Sequence, residues 1–174
     1  MAMTRAYSYV GPADIKAMVA AAPAGTPLDT PAALAAWHSS QPSDERDEPF
    51  TYVVALDGIL RVAPRRSEHV ACAGGAPVLA AGEIAFAFQD HWTVTLVSNH
   101  STGYCPDATC WPSVAAALDR LGVDRPAAFT TEIVFRRCPA CAEINLVRDA
   151  DLVCVFCDAD LPAAWNVGSP PPAG

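Results

Sequence analysis

The sequence lacks any apolar run near the ~18 residues at which a membrane-spanning helix becomes plausible. Its opening, Met1-Ala2-Met3-Thr4-Arg5-Ala6, lacks the apolar core of a secretion signal. There is no internal repeat and no heptad pattern, which excludes solenoids and coiled coils. Charge is sparse, with Asp, Glu, Lys and Arg together at 17%, while hydrophobic residues reach 52%. That balance excludes a disordered chain and describes a globular one. Basic residues are few: 11 Lys and Arg against 19 Asp and Glu give a formal charge of −8. Four thiolates around one Zn²⁺ would bring this to about −10. A field of that sign repels nucleic acid. These absences give the expectation of a cytoplasmic protein away from any membrane.

What is present is concentrated near the C-terminus. Cys138-Pro139-Ala140-Cys141 and Cys154-Val155-Phe156-Cys157 are two Cys-x-x-Cys pairs separated by twelve residues. Each pair supplies two thiolates from a tight turn, and the segment between is long enough to run out and back as a hairpin. Four thiolates close a tetrahedral ion and leave no position for substrate. The metal is therefore one structural Zn²⁺, with an iron centre as the alternative occupant. The flanking residues resemble zinc ribbons, although Ala142 and Asp158 stand where many ribbons have glycine. Such a closed set also argues against a deaminase, which needs three protein ligands and an open position.

The rest of the chain reads as an α+β fold: an antiparallel sheet with flanking short helices and the Cys₄ ribbon at its end. Residues 1–48 read as a helical segment, with one helix after Pro12 and another capped by Thr30-Pro31. Residues 49–130 read as a β-rich core. Asp57-Gly58 marks a hairpin between Phe50–Leu56 and Ile59–Val62. His69–Ala73 reads as a third strand, and 83–88 with 92–97 as a second hairpin. Pro112 opens the core's one helix (112–121), which Gly122 closes. Residues 131–167 form the ribbon, its hairpin arms expected at Ile144–Val147 and Leu152–Val155. Residues 168–174 are expected to fray.

Two central segments carry reactive side chains: Arg65 to Gly75, and Ser98 to Asp107. With Glu83 between them they offer Glu68, His69, Glu83, His100, Tyr104 and Cys105 as catalytic candidates, and Arg65, Arg66 and Asn99 as ligand-binding candidates. A cysteine nucleophile needs a histidine in reach and an orienting group. Cys105 with His100 or His69, and Glu83, Glu68 or Asn99, is such a set. A second metal among Cys72, Cys105, Cys110, His69, His91 and His100 is a further arrangement to test.

Ala81-Gly82-Glu83, followed by Ser98-Asn99-His100-Ser101-Thr102-Gly103-Tyr104-Cys105-Pro106, resembles a motif of small β-rich domains in bacterial effector and toxin-associated proteins. Those domains carry Ala-Gly-Glu and then Asn-x-Ser-Gly-His-Tyr-x-Pro. This chain has Thr102-Gly103 before Tyr104 and no histidine beside it. The resemblance spans residues 50–125 and implies a β-sheet domain whose motif-bearing loop follows a hairpin.

The leading expectation is a zinc-stabilised, bacterial-type cytoplasmic interaction protein. It would bind a protein partner through the 98–107 loop and adjacent strand ends, with Trp92, Tyr104 and Trp111 as aromatic anchors. The alternative is an enzyme, a hydrolase or transferase, acting on an anionic substrate through Arg65, His69, Glu83, His100 and Cys105. A nucleic-acid module would rest on Arg136 and Arg137 alone.

Overall fold

The computed structural model describes residues 4–19 and 24–168. The chain divides into two compact units, Met1–Glu132 and Ile133–Gly174. The expected fraying of residues from Ser169 onward lies outside the described residues.

The first unit is built on a five-stranded antiparallel sheet in the order β1-β3-β2-β4-β5. Its strands are β1 (Thr26–Leu28), β2 (Phe50–Ala55), β3 (Leu60–Ala63), β4 (Val78–Phe88) and β5 (Trp92–Val97). The helices are α1 (Ala13–Val19), α2 (Pro31–Ser40), α3 (His69–Cys72) and α4 (Trp111–Leu121). The fold is thus the α+β arrangement expected, with short helices around an antiparallel sheet.

Local chemistry explains much of it. Thr30 caps α2 by accepting the Ala33 amide at 3.1 Å, with Pro31 just inside the helix. Gly58 takes φ +78° in the β2–β3 turn, a conformation that costs glycine least. Asp57 steadies the same turn by accepting the Ile59 amide and pairing with Arg61. Gly122, at φ +80°, ends α4 and donates to Leu118 and Asp119 carbonyls.

Residues Phe50 to Val54 are consecutively buried. Unbroken burial along a strand means that both faces of the sheet are covered. Helix α4 packs on β2, β3 and β4 through Val114, Ala117, Leu118 and Leu121, while α3 packs on β2 and β3. The outer edge of β5 is covered by irregular chain. The Val94 amide donates to Asp124 O at 2.8 Å, and the Thr130 amide to Val97 O at 2.9 Å. Such cover removes a free edge on which other chains would pair.

Two readings of this unit need correction. His69–Ala73 is a helical turn, not a strand: the Cys72 and Ala73 amides donate to Glu68 and His69 carbonyls, and Gly74-Gly75 ends the turn with positive φ at both glycines. The N-terminal 48 residues are not wholly helical, because Thr26–Leu28 pairs with Leu60–Val62 as an edge strand. A three-residue strand carries no periodicity of its own; β3 recruits it.

The second unit contains a two-stranded antiparallel sheet, β6 (Val134–Arg137) with β7 (Ile144–Val147). The ribbon hairpin therefore encloses the first cysteine turn. The expected second arm, Leu152–Val155, contributes only an isolated bridge from Val153 to Asp160. Asn166 closes the other edge of β6: its side chain accepts the Arg137 amide and donates to the Arg137 carbonyl, each at 2.8 Å.

Candidate metal centre and the central polar loop

The two cysteine turns have the same backbone. Cys138 N donates to Glu143 O and Ala142 N to Cys138 O. Cys154 N donates to Ala159 O and Asp158 N to Cys154 O. Ala142 and Asp158 occupy equivalent places with φ +65° and +61°. These are the positions where glycine was missed in the sequence, and the turns form without it at the cost of a left-handed residue. Ala142→Gly is expected to stabilise the unit by about 0.5–1 kcal/mol. Chelator competition should then show a two- to fivefold gain in zinc affinity, roughly what that energy implies. Asp158→Gly should gain less, because aspartate tolerates this conformation better than alanine.

The four Sγ atoms lie within 4.8 Å of one another. Cys138 Sγ is 3.6 Å from Cys157 Sγ, and Cys141 Sγ is 3.7 Å from Cys154 Sγ. A tetrahedral ion with Zn–S of ~2.3 Å separates its sulfurs by ~3.8 Å. The donor set and the spacing both fit zinc. Cys138 and Cys154 are buried while Cys141 and Cys157 reach the surface.

Asn145 sits buried in β7 and orients this set. Its amide donates to Cys154 Sγ at 3.4 Å, and its carbonyl oxygen accepts the Val155 amide at 2.9 Å. Burial alone would raise the Cys154 thiol. Amide donors from Phe156, Asn145 and Cys157, with the neighbouring Cys141 thiol, outweigh it and lower the Cys154 thiol. Asn145 was not picked out from the sequence, although a lone amide within Ile-Asn-Leu-Val is the available signal.

The structure divides the central candidates into buried supports and a partly exposed group. Tyr104 is 1% exposed and its hydroxyl donates to Ala76 O at 2.7 Å. Cys105 is equally buried, with φ +46° and its thiol on Thr102 O. Asn99 is fully buried and donates to Pro106 O at 3.0 Å. Burial pushes the Tyr104 hydroxyl up, beyond any physiological titration. Cys105 and Asn99 hold the loop's own backbone and Tyr104 ties it to Ala76, so Tyr104 is not an exposed anchor. Arg65 pairs with Glu48, and Arg66 is exposed. His91 pairs with Asp124 at 2.6 Å. Burial drives the Cys72 and Cys110 thiols to about 12. Among the described residues, the four ribbon cysteines are the only cluster able to hold a metal, so the second site is not formed.

The Ala-Gly-Glu and Ser-Asn-His elements do meet, for a steric reason. A Cβ on Gly82 would lie 1.9 Å from Ser98 O. Ser98 Oγ accepts the Glu83 and His100 amides at 3.2 Å each, and Tyr52 donates to Ser98 O at 2.7 Å. Around this junction Glu68, His69, Glu83 and His100 interact electrostatically. His100 Nδ1 lies 3.9 Å from Glu83 Oε2, with both side chains about four-tenths exposed.

His69 Nε2 is 2.8 Å from Gly82 O and donates to it. Burial lowers its pKa, only partly offset by that bond and by Glu83. The unfolded chain then binds the proton more readily than the folded one. Stability is full above the ordinary histidine value of about 6.5 and falls as pH drops below it. Thermal denaturation between neutral and mildly acidic pH should show this slope, and His69→Gln should flatten it.

No family model, curated protein or solved structure matches this chain. The resemblance to toxin-associated domains thus has no support from homology. The chain is an α+β protein with a Cys₄ cluster consistent with a zinc-ribbon-like unit.

Proposed function

We propose that this is a zinc-stabilised interaction protein of bacterial, cytoplasmic type that binds another protein. The observation carrying this reading is that Tyr104, Cys105 and Asn99 are buried supports while the polar groups around them stay at the surface. A closed Cys₄ set offers no substrate position. Cys105 and Asn99 serve the loop's own backbone, and Tyr104 ties the loop to the Ala76 carbonyl. Seven cysteines, four of them in paired metal-ligand spacing, suit a reducing compartment. No helix among the described residues is long and apolar enough to cross a membrane.

Of the 98–107 loop, Thr102 is exposed, and His100, Gly103 and Asp107 are partly so. With Glu68 and Glu83 they form a polar edge that a partner can read. The acidic balance favours a basic or neutral protein over nucleic acid. Arg136 and Arg137 support this preference, since their guanidinium groups donate to carbonyls of Pro162, Ala163, Ala142 and Val167.

The enzyme reading draws on the gathering of Glu68, His69, Glu83 and His100, where a neutral His69 is a usable base. It is the weaker of the two because Cys105 and Arg65 are engaged elsewhere. A photo-crosslinking residue at Thr102 in producing cells should give one discrete protein adduct, removed by Glu83→Lys. An adduct pattern equal to that from exposed Gln89 would overturn the interaction reading.

A further inference from the structure

The two metal turns have matching backbones but different side chains at their tips. The first carries Pro139-Ala140, the second Val155-Phe156. The turn therefore has no structural need for large apolar residues at these positions. Yet Val155 is 75% exposed and Phe156 62%. Leu146 and Val153, at 37% and 39%, are exposed beside them. With Ile144 these side chains line a groove of ≈470 Å³. A continuous apolar face of this kind, on so small a unit, marks a contact site.

Its charge surroundings say what it suits. Glu143, Asp149, Asp151, Asp158 and Asp160 are all exposed. None of them forms an ion pair among the described residues. Two of the unit's three arginines are turned onto carbonyls, as described above. Of the three arginines Arg148 lines the groove, and Asp151 lines it too. The thiolates of a zinc-loaded centre add further negative charge.

We propose that this groove docks an amphipathic segment of a protein partner bearing lysine or arginine. The partner's apolar side chains would cover Val155 and Phe156, and its cations would meet Asp151 in the groove and the unit's other exposed carboxylates. This rests on the interaction reading above and adds a second, apolar face to it.

The test is selection of displayed random short peptides on the intact, zinc-loaded protein, with Val155→Ser/Phe156→Ser as counter-target. Retention of one zinc by the variant certifies its fold. Enriched peptides should combine apolar residues with Lys or Arg, bind at least about tenfold more weakly to the variant, and weaken with salt. Variant-sensitive peptides of neutral or acidic composition would overturn the proposed chemistry while sparing the interaction reading. Absence of enrichment, or enrichment insensitive to the variant, would overturn the groove as a docking site. A dimer seen by light scattering and dissolved by the variant would assign the groove to a second copy instead, and overturn the proposal.

Discussion

Removing the metal, or replacing Cys138 with serine, is expected to unfold residues 133–168 while leaving the first unit folded. Among the described residues the buried cluster at the centre is Cys138, Cys154 and Leu161, with Val147, Leu152 and Ala159 packed against it, and the unit buries Phe135 and Val167 besides. Units near 40 residues rarely stand on such a core without a metal, disulfide or partner. Structural zinc contributes about 10–16 kcal/mol of apparent binding energy in comparable small modules, far above what these few side chains supply. Amide spectra should show the ribbon signals collapse on chelation, β6 and β7 included, and return with one equivalent of zinc. Signals of β2 and β4 should stay in place, since they belong to a compact unit with a sheet of its own. A metal-free ribbon that keeps its dispersion would sink the structural role of the ion.

Gly82→Ala is expected to destabilise the first unit by about 3 kcal/mol or more, the upper range for overpacking in a core. The added carbon would stand 1.9 Å from Ser98 O and 2.7 Å from its carbonyl carbon. That backbone has little freedom to retreat. Tyr52, itself fully buried, holds Ser98 O, and Ser98 N donates to Glu83 O at 2.9 Å. A melting temperature lower by roughly 10 °C follows for a chain of this size. Gly103→Ala is the comparison. Its new carbon would meet the ring of Tyr9 at 2.9 Å, a side chain that can swing aside. Its cost should be markedly smaller. Equal melting temperatures for the two variants would refute the steric account of the Ala-Gly-Glu element.

The outcomes differ by how local each signal is. The cysteine turns were legible because four ligands at fixed spacing carry their own geometry, and both turns repeat the same bonds. The Asp57-Gly58 turn and the α4 cap at Gly122 were legible for the same reason: each needs a positive φ within a few residues of its partners. His69–Cys72 was misread because four residues suit a helical turn or a strand equally, and their packing on β2 and β3 decided between them. The ribbon's second arm was misplaced because Ile144–Val147 had two possible partners in sequence, and it pairs with β6 across the first cysteine turn.

The sequence by itself determined the four-cysteine cluster, the antiparallel α+β class and the principal turns. These follow from spacing, alternation and backbone preference over short spans. Only the tertiary structure decided that Tyr104, Cys105 and Asn99 are buried supports, that Gly82 is a point of backbone contact, and that Val155 and Phe156 face outward. Whether a side chain is buried depends on what distant segments bring against it, and no local pattern encodes that neighbour.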